Sequence, residues 1–234
     1  MRLLYTLIIL LISFGAYTQN AVVIENYKGK KYPETTWGAD NKHFGHYQLR
    51  YIAGMPLPND SDIENSIASG SLAFGYQYRY KLVDKFDIGT ELAFENNFSA
   101  IQKDEINKFT SSGSFTKLRT YQNGFSGSFF GRIILKDNTI RNLGWHIDFG
   151  AFGAYYPYYG LFMKSESDNL KIRVREKKPD YLMNYDYGVF LRAGKNNIMF
   201  YVNYSLSDWV IDLNNENYSR SALRAGVQLN LYAK

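Results

Sequence analysis

At 234 residues with no cysteine, the chain is long enough for one sizeable domain but has no disulfide to draw on, so its stability has to come from packing or from a membrane. It carries 21 Tyr and 16 Phe, yet its mean hydropathy is −0.35, and beyond the first residues no apolar run reaches the length of a spanning helix, which excludes a bundle of membrane helices. The formal charge of +5 is mild and does not by itself indicate nucleic acid.

In chain order, Met1 to Gln19 begins with Arg2, continues through the apolar stretch Leu3 to Phe14 and reaches Ala16-Tyr17-Thr18. This reads as a secretory signal over residues 1–18, cleaved after Thr18. The apolar stretch is short for a membrane span, and no cysteine follows to carry a lipid, so the mature chain is expected to be exported without a helical or lipid anchor. Residues 19–42 are polar, contain Gly29, Pro33 and Gly38, and show no sustained alternation. They read as a periplasmic arm whose Tyr27, Tyr32 and Trp37 either dock on a partner or pack locally. The barrel is expected over residues 43–234.

The first predicted strand, Phe44 to Gly54, sets Tyr47, Leu49 and Tyr51 on one face and His46, Gln48 and Arg50 on the other. Met55 to Ser69, with Pro56, Pro58 and Asn59-Asp60, is a long loop. From Leu72 to Phe94 a hairpin is expected. Leu72, Phe74, Tyr76, Tyr78, Tyr80 and Leu82 alternate with Ala73, Gly75, Gln77, Arg79 and Lys81, and a tight connection at Val83 to Lys85 leads into Phe86, Ile88, Thr90, Leu92 and Phe94 against Asp87, Gly89, Glu91, Ala93 and Glu95. Pairing across this turn sets Lys81 opposite Asp87, Gln77 opposite Glu91, Tyr80 opposite Ile88 and Phe74 opposite Phe94.

A second long loop is expected over about 97–117. The fourth strand, near Thr120 to Leu135, sets Phe125, Phe129, Ile133 and Leu135 against Ser126, Ser128 and Arg132. The fifth begins at Trp145, alternates Ile147, Phe149, Ala151 and Tyr155 with His146, Asp148, Gly150 and Ala154, and is expected to end at Pro157. A third long loop, about 158–180, follows. Within it Leu170, Ile172 and Val174 alternate with charges, so strands extending as a ribbon are a further option there. The sixth strand sets Tyr181, Met183, Tyr185, Tyr187, Val189 and Leu191 against Asn184, Asp186, Gly188 and Arg192. After a short turn at Gly194 to Asn197, the seventh places Ile198, Phe200, Val202, Tyr204 and Leu206 opposite the row Leu191, Val189, Tyr187 and Tyr185. A loop near 208–218 precedes the eighth, with Leu223, Ala225, Val227, Leu229 and Leu231 against Arg224, Gln228 and Asn230.

Connections alternating between long and short are what an eight-stranded antiparallel up-and-down transmembrane β-barrel shows when both termini lie on the periplasmic side. A secreted soluble barrel is the alternative; it would turn the apolar rows inward. The segments Tyr76-Gln77-Tyr78-Arg79-Tyr80-Lys81-Leu82, Tyr187-Gly188-Val189-Phe190-Leu191-Arg192, Tyr204-Ser205-Leu206-Ser207-Asp208 and Leu223-Arg224-Ala225-Gly226-Val227 resemble a group of small Bacteroidota outer-membrane barrels, similar in architecture to OmpX and the membrane domain of OmpA. The resemblance covers about Phe44 to Tyr232 and implies integral outer-membrane localisation in a Gram-negative envelope, with no assigned activity. Such barrels commonly end on an aromatic residue, whereas Tyr232 here precedes Ala233 and Lys234, so Leu231 has to serve as the last outward position.

The residues that fall on the lumen side carry both signs of charge: Arg50, Arg79, Lys81, Arg132, Arg192 and Arg224 against Asp87, Glu91, Glu95, Asp148 and Asp186. In a narrow barrel these side chains are expected to pair and close the interior, which makes the chain a non-enzymatic scaffold or binding surface. A small-solute channel is the alternative, followed by lipid A acyl chemistry. His146 and Asp148 share a strand face, the one enzyme-like pair, but the His-x-Ser-Asn pattern of lipid A deacylases does not occur. His43 and His46 fall on opposite faces, which disfavours a shared metal. With no Rossmann or phosphate-loop glycine pattern, no cofactor is expected. The third loop gathers Arg173, Arg175, Lys177 and Lys178, with Lys171 and Lys164, against Glu166, Asp168, Glu176 and Asp180. Outer-membrane lipid and lipopolysaccharide phosphates are its expected partners, with an envelope protein as a further one and nucleic acid not expected.

Overall fold

A computed structural model describes residues 41–54, 68–103, 106, 115–135, 144–167, 170–211, 217–219 and 223–231. The expected signal peptide and nearly all of the arm lie outside the described residues. Described residues form only strands, turns and short single-turn segments. In chain order the strands are β1 (His43–Gly54), β2 (Gly70–Val83), β3 (Phe86–Ile101), β4 (Lys117–Ile134), β5 (Trp145–Ser167), β6 (Leu170–Lys177), β7 (Tyr185–Lys195), β8 (Ile198–Ser205), β9 (Asp208–Ile211), β10 (Asn217–Ser219) and β11 (Leu223–Leu231).

Each member of the set β1, β2, β3, β4, β5, β7, β8 and β11 pairs antiparallel with two others, and the β4–β5 pairing closes the ring of eight strands. β6 adds to β5 outside this ring, and β9 pairs with β10 separately. The β2–β3 hairpin has Lys81 opposite Asp87, Gln77 opposite Glu91, Tyr80 opposite Ile88 and Phe74 opposite Phe94. Between β7 and β8, Asn196, at φ 55°, takes the left-handed conformation that asparagine tolerates and lets a tight turn set Lys195 against Ile198. The outward row of this hairpin therefore starts nearer the turn than the sequence suggests: Phe200 faces Ala193, Val202 faces Leu191 and Tyr204 faces Val189.

Apolar side chains point out of the ring and charged ones point in. Leu72, Phe74, Leu92, Phe129, Leu191, Phe200 and Leu229 are exposed, while Arg79, Asp87, Arg132, Asp148 and Arg192 are at most 1 % exposed. A soluble calyx has the reverse arrangement.

Two expectations about β5 are corrected. Pro157 does not end the strand, and 158–180 is not simply a loop. β5 pairs with β7 as far as Tyr155 and with β6 from Gly160, so the proline, which has no N–H to donate, falls between two ladders on that side. On the other side Tyr155 faces Phe125 and Tyr158 faces Asn123, which leaves Tyr156 and Pro157 against Gly124 as a bulge. A Cβ on Gly124 would lie 1.9 Å from the Tyr155 carbonyl oxygen, so only glycine fits there. The extra residue reverses the parity of the strand. Tyr155 is exposed and odd-numbered; beyond the bulge Tyr158 is exposed, and Leu161 and Met163 are buried on the inner face.

The part of β5 beyond the bulge, with the first half of β4 and with β6, forms a three-stranded extension of the ring at its loop end. Tyr181, expected to face outward, instead packs against an apolar cluster there: Ile101, Ile106, Leu118, Leu161, Met163, Leu182, Trp209 and Val210.

Candidate functional site

The interior of the ring is a chain of ion pairs. Arg50 meets Glu91 at 2.5 Å and Glu95 at 3.5 Å; Glu91 also accepts from Arg192 at 2.8 Å. Arg192 reaches on to Asp148 at 2.6 Å, and Arg132 holds the same carboxylate through two parallel hydrogen bonds, Nε at 2.6 Å and Nη2 at 2.8 Å. Arg50, Glu91, Arg192, Asp148 and Arg132 thus form an unbroken line across the lumen, drawn from β1, β3, β7, β5 and β4. Gln228 of β11 accepts from Arg192 at 3.1 Å and donates to Gln77 of β2 at 3.3 Å. Tyr201 of β8 lies under the Arg50 guanidinium at 4.8 Å, so seven strands of the ring touch the line and β2 reaches it through Gln228.

Two smaller pairs flank it. Arg79 pairs with Asp87 nearer the turn end, and Arg224 meets Asp186 at 2.8 Å nearer the loop end, where Ser205 and Ser207 also bond to Asp186. Among the described residues the buried ions balance: Arg50, Arg79, Arg132, Arg192 and Arg224 against Asp87, Glu91, Glu95, Asp148 and Asp186. Neutrality matters because an unpaired buried charge costs several kcal/mol, roughly 3–5 when one partner of a buried pair is removed. Lys81 is corrected out of this network. Its ammonium sits at the turn end, partly exposed, 3.5 Å from the solvated Asp84.

Aromatic side chains on the polar rows complete the interior, and they were not singled out from the sequence. Phe130 lies beneath Arg192 at 4.5 Å, and Phe190 stacks on Tyr201 at 5.3 Å. A signal for them exists in the register: Gly89, Phe130, Gly150 and Phe190 lie side by side across four strands. A Cβ on Gly89 would come within 2.3 Å of the Phe130 ring, so this glycine makes the hole that the ring fills.

Toward the loop end the polar lumen gives way to the apolar cluster of Leu118, Leu161, Met163, Leu182 and Trp209. The Tyr181 hydroxyl, packed beside it, donates to Glu176 at 2.6 Å; burial first, and this hydrogen bond second, push the phenol above its ordinary range.

His146 and Asp148 lie on one face of β5 but do not hydrogen-bond to each other. The His146 Nδ1 is 2.9 Å from the Gly144 carbonyl, to which it donates, and both Asp148 oxygens are engaged by arginines. His43 bonds to the Tyr78 hydroxyl at 2.7 Å, while His46 is buried in the lumen. No grouping of three or more possible metal ligands occurs among the described residues.

Arg173, Arg175 and Lys177 stand on one face of β6, and Lys178 follows at φ 51° with its N–H bonded to the Tyr159 carbonyl. Their strand partners are Lys164, Phe162 and Gly160. No family model, no curated protein and no solved structure matches this chain. The resemblance to small outer-membrane barrels therefore rests on its strand motifs alone.

Proposed function

We propose that the chain is an integral outer-membrane β-barrel, exported by its N-terminal signal, with a closed lumen, which serves as a scaffold or binding surface through the loops at one end and the arm at the other. The observation that carries this reading is the inverted polarity of the ring. Water-soluble domains bury aliphatic and aromatic side chains and seldom expose contiguous apolar patches beyond a few hundred Å². Here exposed apolar residues recur on the outside of every ring strand, and the arginines and carboxylates are inside. The outward row of β2 runs from Leu72 to Leu82, in keeping with the roughly 9–11 residues a tilted strand needs to cross a bilayer. No helix among the described residues is long and apolar enough for that task.

Leu191→Arg tests the reading. The side chain is half exposed near the middle of the outward row of β7, so in water the substitution should change stability by less than about 0.5 kcal/mol. In phospholipid vesicles it should cost roughly 2–4 kcal/mol, the depth-dependent penalty of a lipid-facing arginine. Native protein recovered without detergent in a soluble fraction, or an equal effect of the substitution in both solvents, would overturn the membrane reading.

A further inference from the structure

The three-stranded extension at the loop end carries a basic face wider than the cluster visible in the sequence. Lys117 of β4 lies beside Lys164 of β5, which lies beside Arg173 of β6. In the next row Arg119, Phe162 and Arg175 are neighbours, and in the third Tyr121, Gly160 and Lys177. These positions share the outward face, since the alternating residues Leu118, Thr120, Leu161 and Met163 are buried on the other. Six cations thus stand in adjoining rows. Lys117, Arg119, Arg173, Arg175 and Lys177 are exposed, and no carboxylate among the described residues pairs with any of these five.

Such a face is electrostatically unfavourable by itself, because like charges directly opposite each other across a ladder repel. Elsewhere the same chain sets Lys81 opposite Asp87 and Arg132 opposite Asp148. The row Lys117, Lys164, Arg173 departs from that pattern, and an anion laid across the exposed Lys117, Arg119, Arg173, Arg175 and Lys177 would relieve the repulsion among those five. One member is already oriented. Without a Cβ, Gly160 leaves room for the Tyr121 ring, whose hydroxyl would sit 2.5 Å from such an atom. The Arg175 guanidinium stacks on that ring at 4.7 Å and donates through Nε to the hydroxyl at 3.0 Å. The residue is exposed, and its two Nη groups are the kind of donors that a phosphate takes in pairs.

What lies next to the face indicates which anion. Following β4 and β5 from these rows toward the turn end, the outward residues become Tyr158, Tyr155, Phe125 and Phe129, all more than half exposed. Cations therefore adjoin an apolar surface along the same strands, an arrangement that matches a molecule with phosphates at one end and acyl chains at the other. We infer that this face binds the headgroup phosphates of a phosphorylated membrane lipid whose chains lie against the apolar rows. The inference rests on the membrane reading above, and it adds Lys117, Arg119 and Lys164 to the recognition surface.

The full chain, purified in neutral detergent, is tested against micelles doped with bis-phosphorylated lipid A, against the same lipid stripped of phosphate, and against inorganic phosphate as competitor. At low salt the wild type should retain the phosphorylated lipid at least tenfold better than the stripped one, and the preference should shrink as salt screens the face. Millimolar inorganic phosphate should not displace the lipid. The combined substitution Arg119→Gln, Arg173→Gln, Arg175→Gln and Lys177→Gln should abolish the preference, and Arg175→Lys should weaken it less than Arg175→Gln. Equal retention of the two lipids, displacement by inorganic phosphate, or a fourfold variant that folds and still discriminates would each overturn the inference. The wild-type comparison decides the matter even if the fourfold variant does not fold. Vesicle flotation separates the two readings: wild type that floats without discriminating between the lipids sinks only this inference, and wild type that does not float sinks both.

Discussion

Asp148 is the residue on which the interior most depends, because one carboxylate satisfies Arg132 through two bonds and Arg192 through a third. Asp148→Asn keeps the shape and removes the charge. Arg192 would retain Glu91, but Arg132 has no other carboxylate partner among the described residues and would be left buried with an uncompensated charge. The expected loss is about 3–5 kcal/mol, read from urea midpoints in detergent or vesicles. Asp84→Asn, at the solvated end of the Lys81 pair, should cost less than about 1 kcal/mol. Equal effects of the two substitutions would mean that the interior line does not brace the ring. The residues that make this line were legible in the sequence because alternation assigns each charge to a face. Their partners were not. Period two says that Asp148 and Arg192 point the same way; only the register of β5 against β7 puts them side by side.

Strand by strand, legibility followed the regularity of the backbone. The β2–β3 hairpin could be read pair by pair because a tight turn fixes its register and its charges are complementary. β5 could not, because two cues in its sequence mislead in the same direction. Pro157 reads as a terminator, and beyond it the outward residues are even-numbered, so the odd-numbered row seems to dissolve into a loop. The bulge at Tyr156 and Pro157 explains both, and it depends on Gly124 in the neighbouring strand, which no local pattern in β5 reveals. The aromatics Phe130, Phe190 and Tyr201 escaped notice for a related reason: a ring on a polar row looks like an exception until the glycines beside it are known. Gly124→Ala tests the bulge directly. Its Cβ would meet the Tyr155 carbonyl at 1.9 Å and the Tyr156 Cα at 2.7 Å, so backbone must shift, at a cost of about 1–3 kcal/mol. The effect should be concentrated in the extension, with amide exchange rising first in residues 158–167 and β6. Gly153→Ala, where nothing lies within 4 Å of the added carbon, is the control and should leave exchange unchanged.

For the molecule as a whole, the proposed closed lumen would rest on two unlike layers along the ring. The first is the ion line from Arg50 to Arg132, whose side chains are fully or nearly buried and span from strand to strand. The second, toward the loop end, is the apolar cluster of Leu118, Leu161, Met163, Leu182, Trp209 and Val210, whose members are at most 8 % exposed. On this reading either alone would hinder an ion, by different physics: the ion line sets paired charge from strand to strand, and the apolar cluster offers a hydrated ion no ligands to replace its water. Planar-bilayer recordings of the wild type should therefore show no steady unit conductance. Trp209→Ala thins the apolar barrier and leaves the ion line, so it should also stay closed. Glu91→Gln weakens the ion line by loosening Arg50 and Arg192 together, and with the apolar cluster intact it too should stay closed. Only the combined variant removes resistance from both layers, and it alone should conduct. A wild type with steady conductance would favour a small-solute channel over a scaffold. Conductance in Trp209→Ala alone would mean that the ion line is no barrier, and conductance in Glu91→Gln alone would say the same of the apolar cluster.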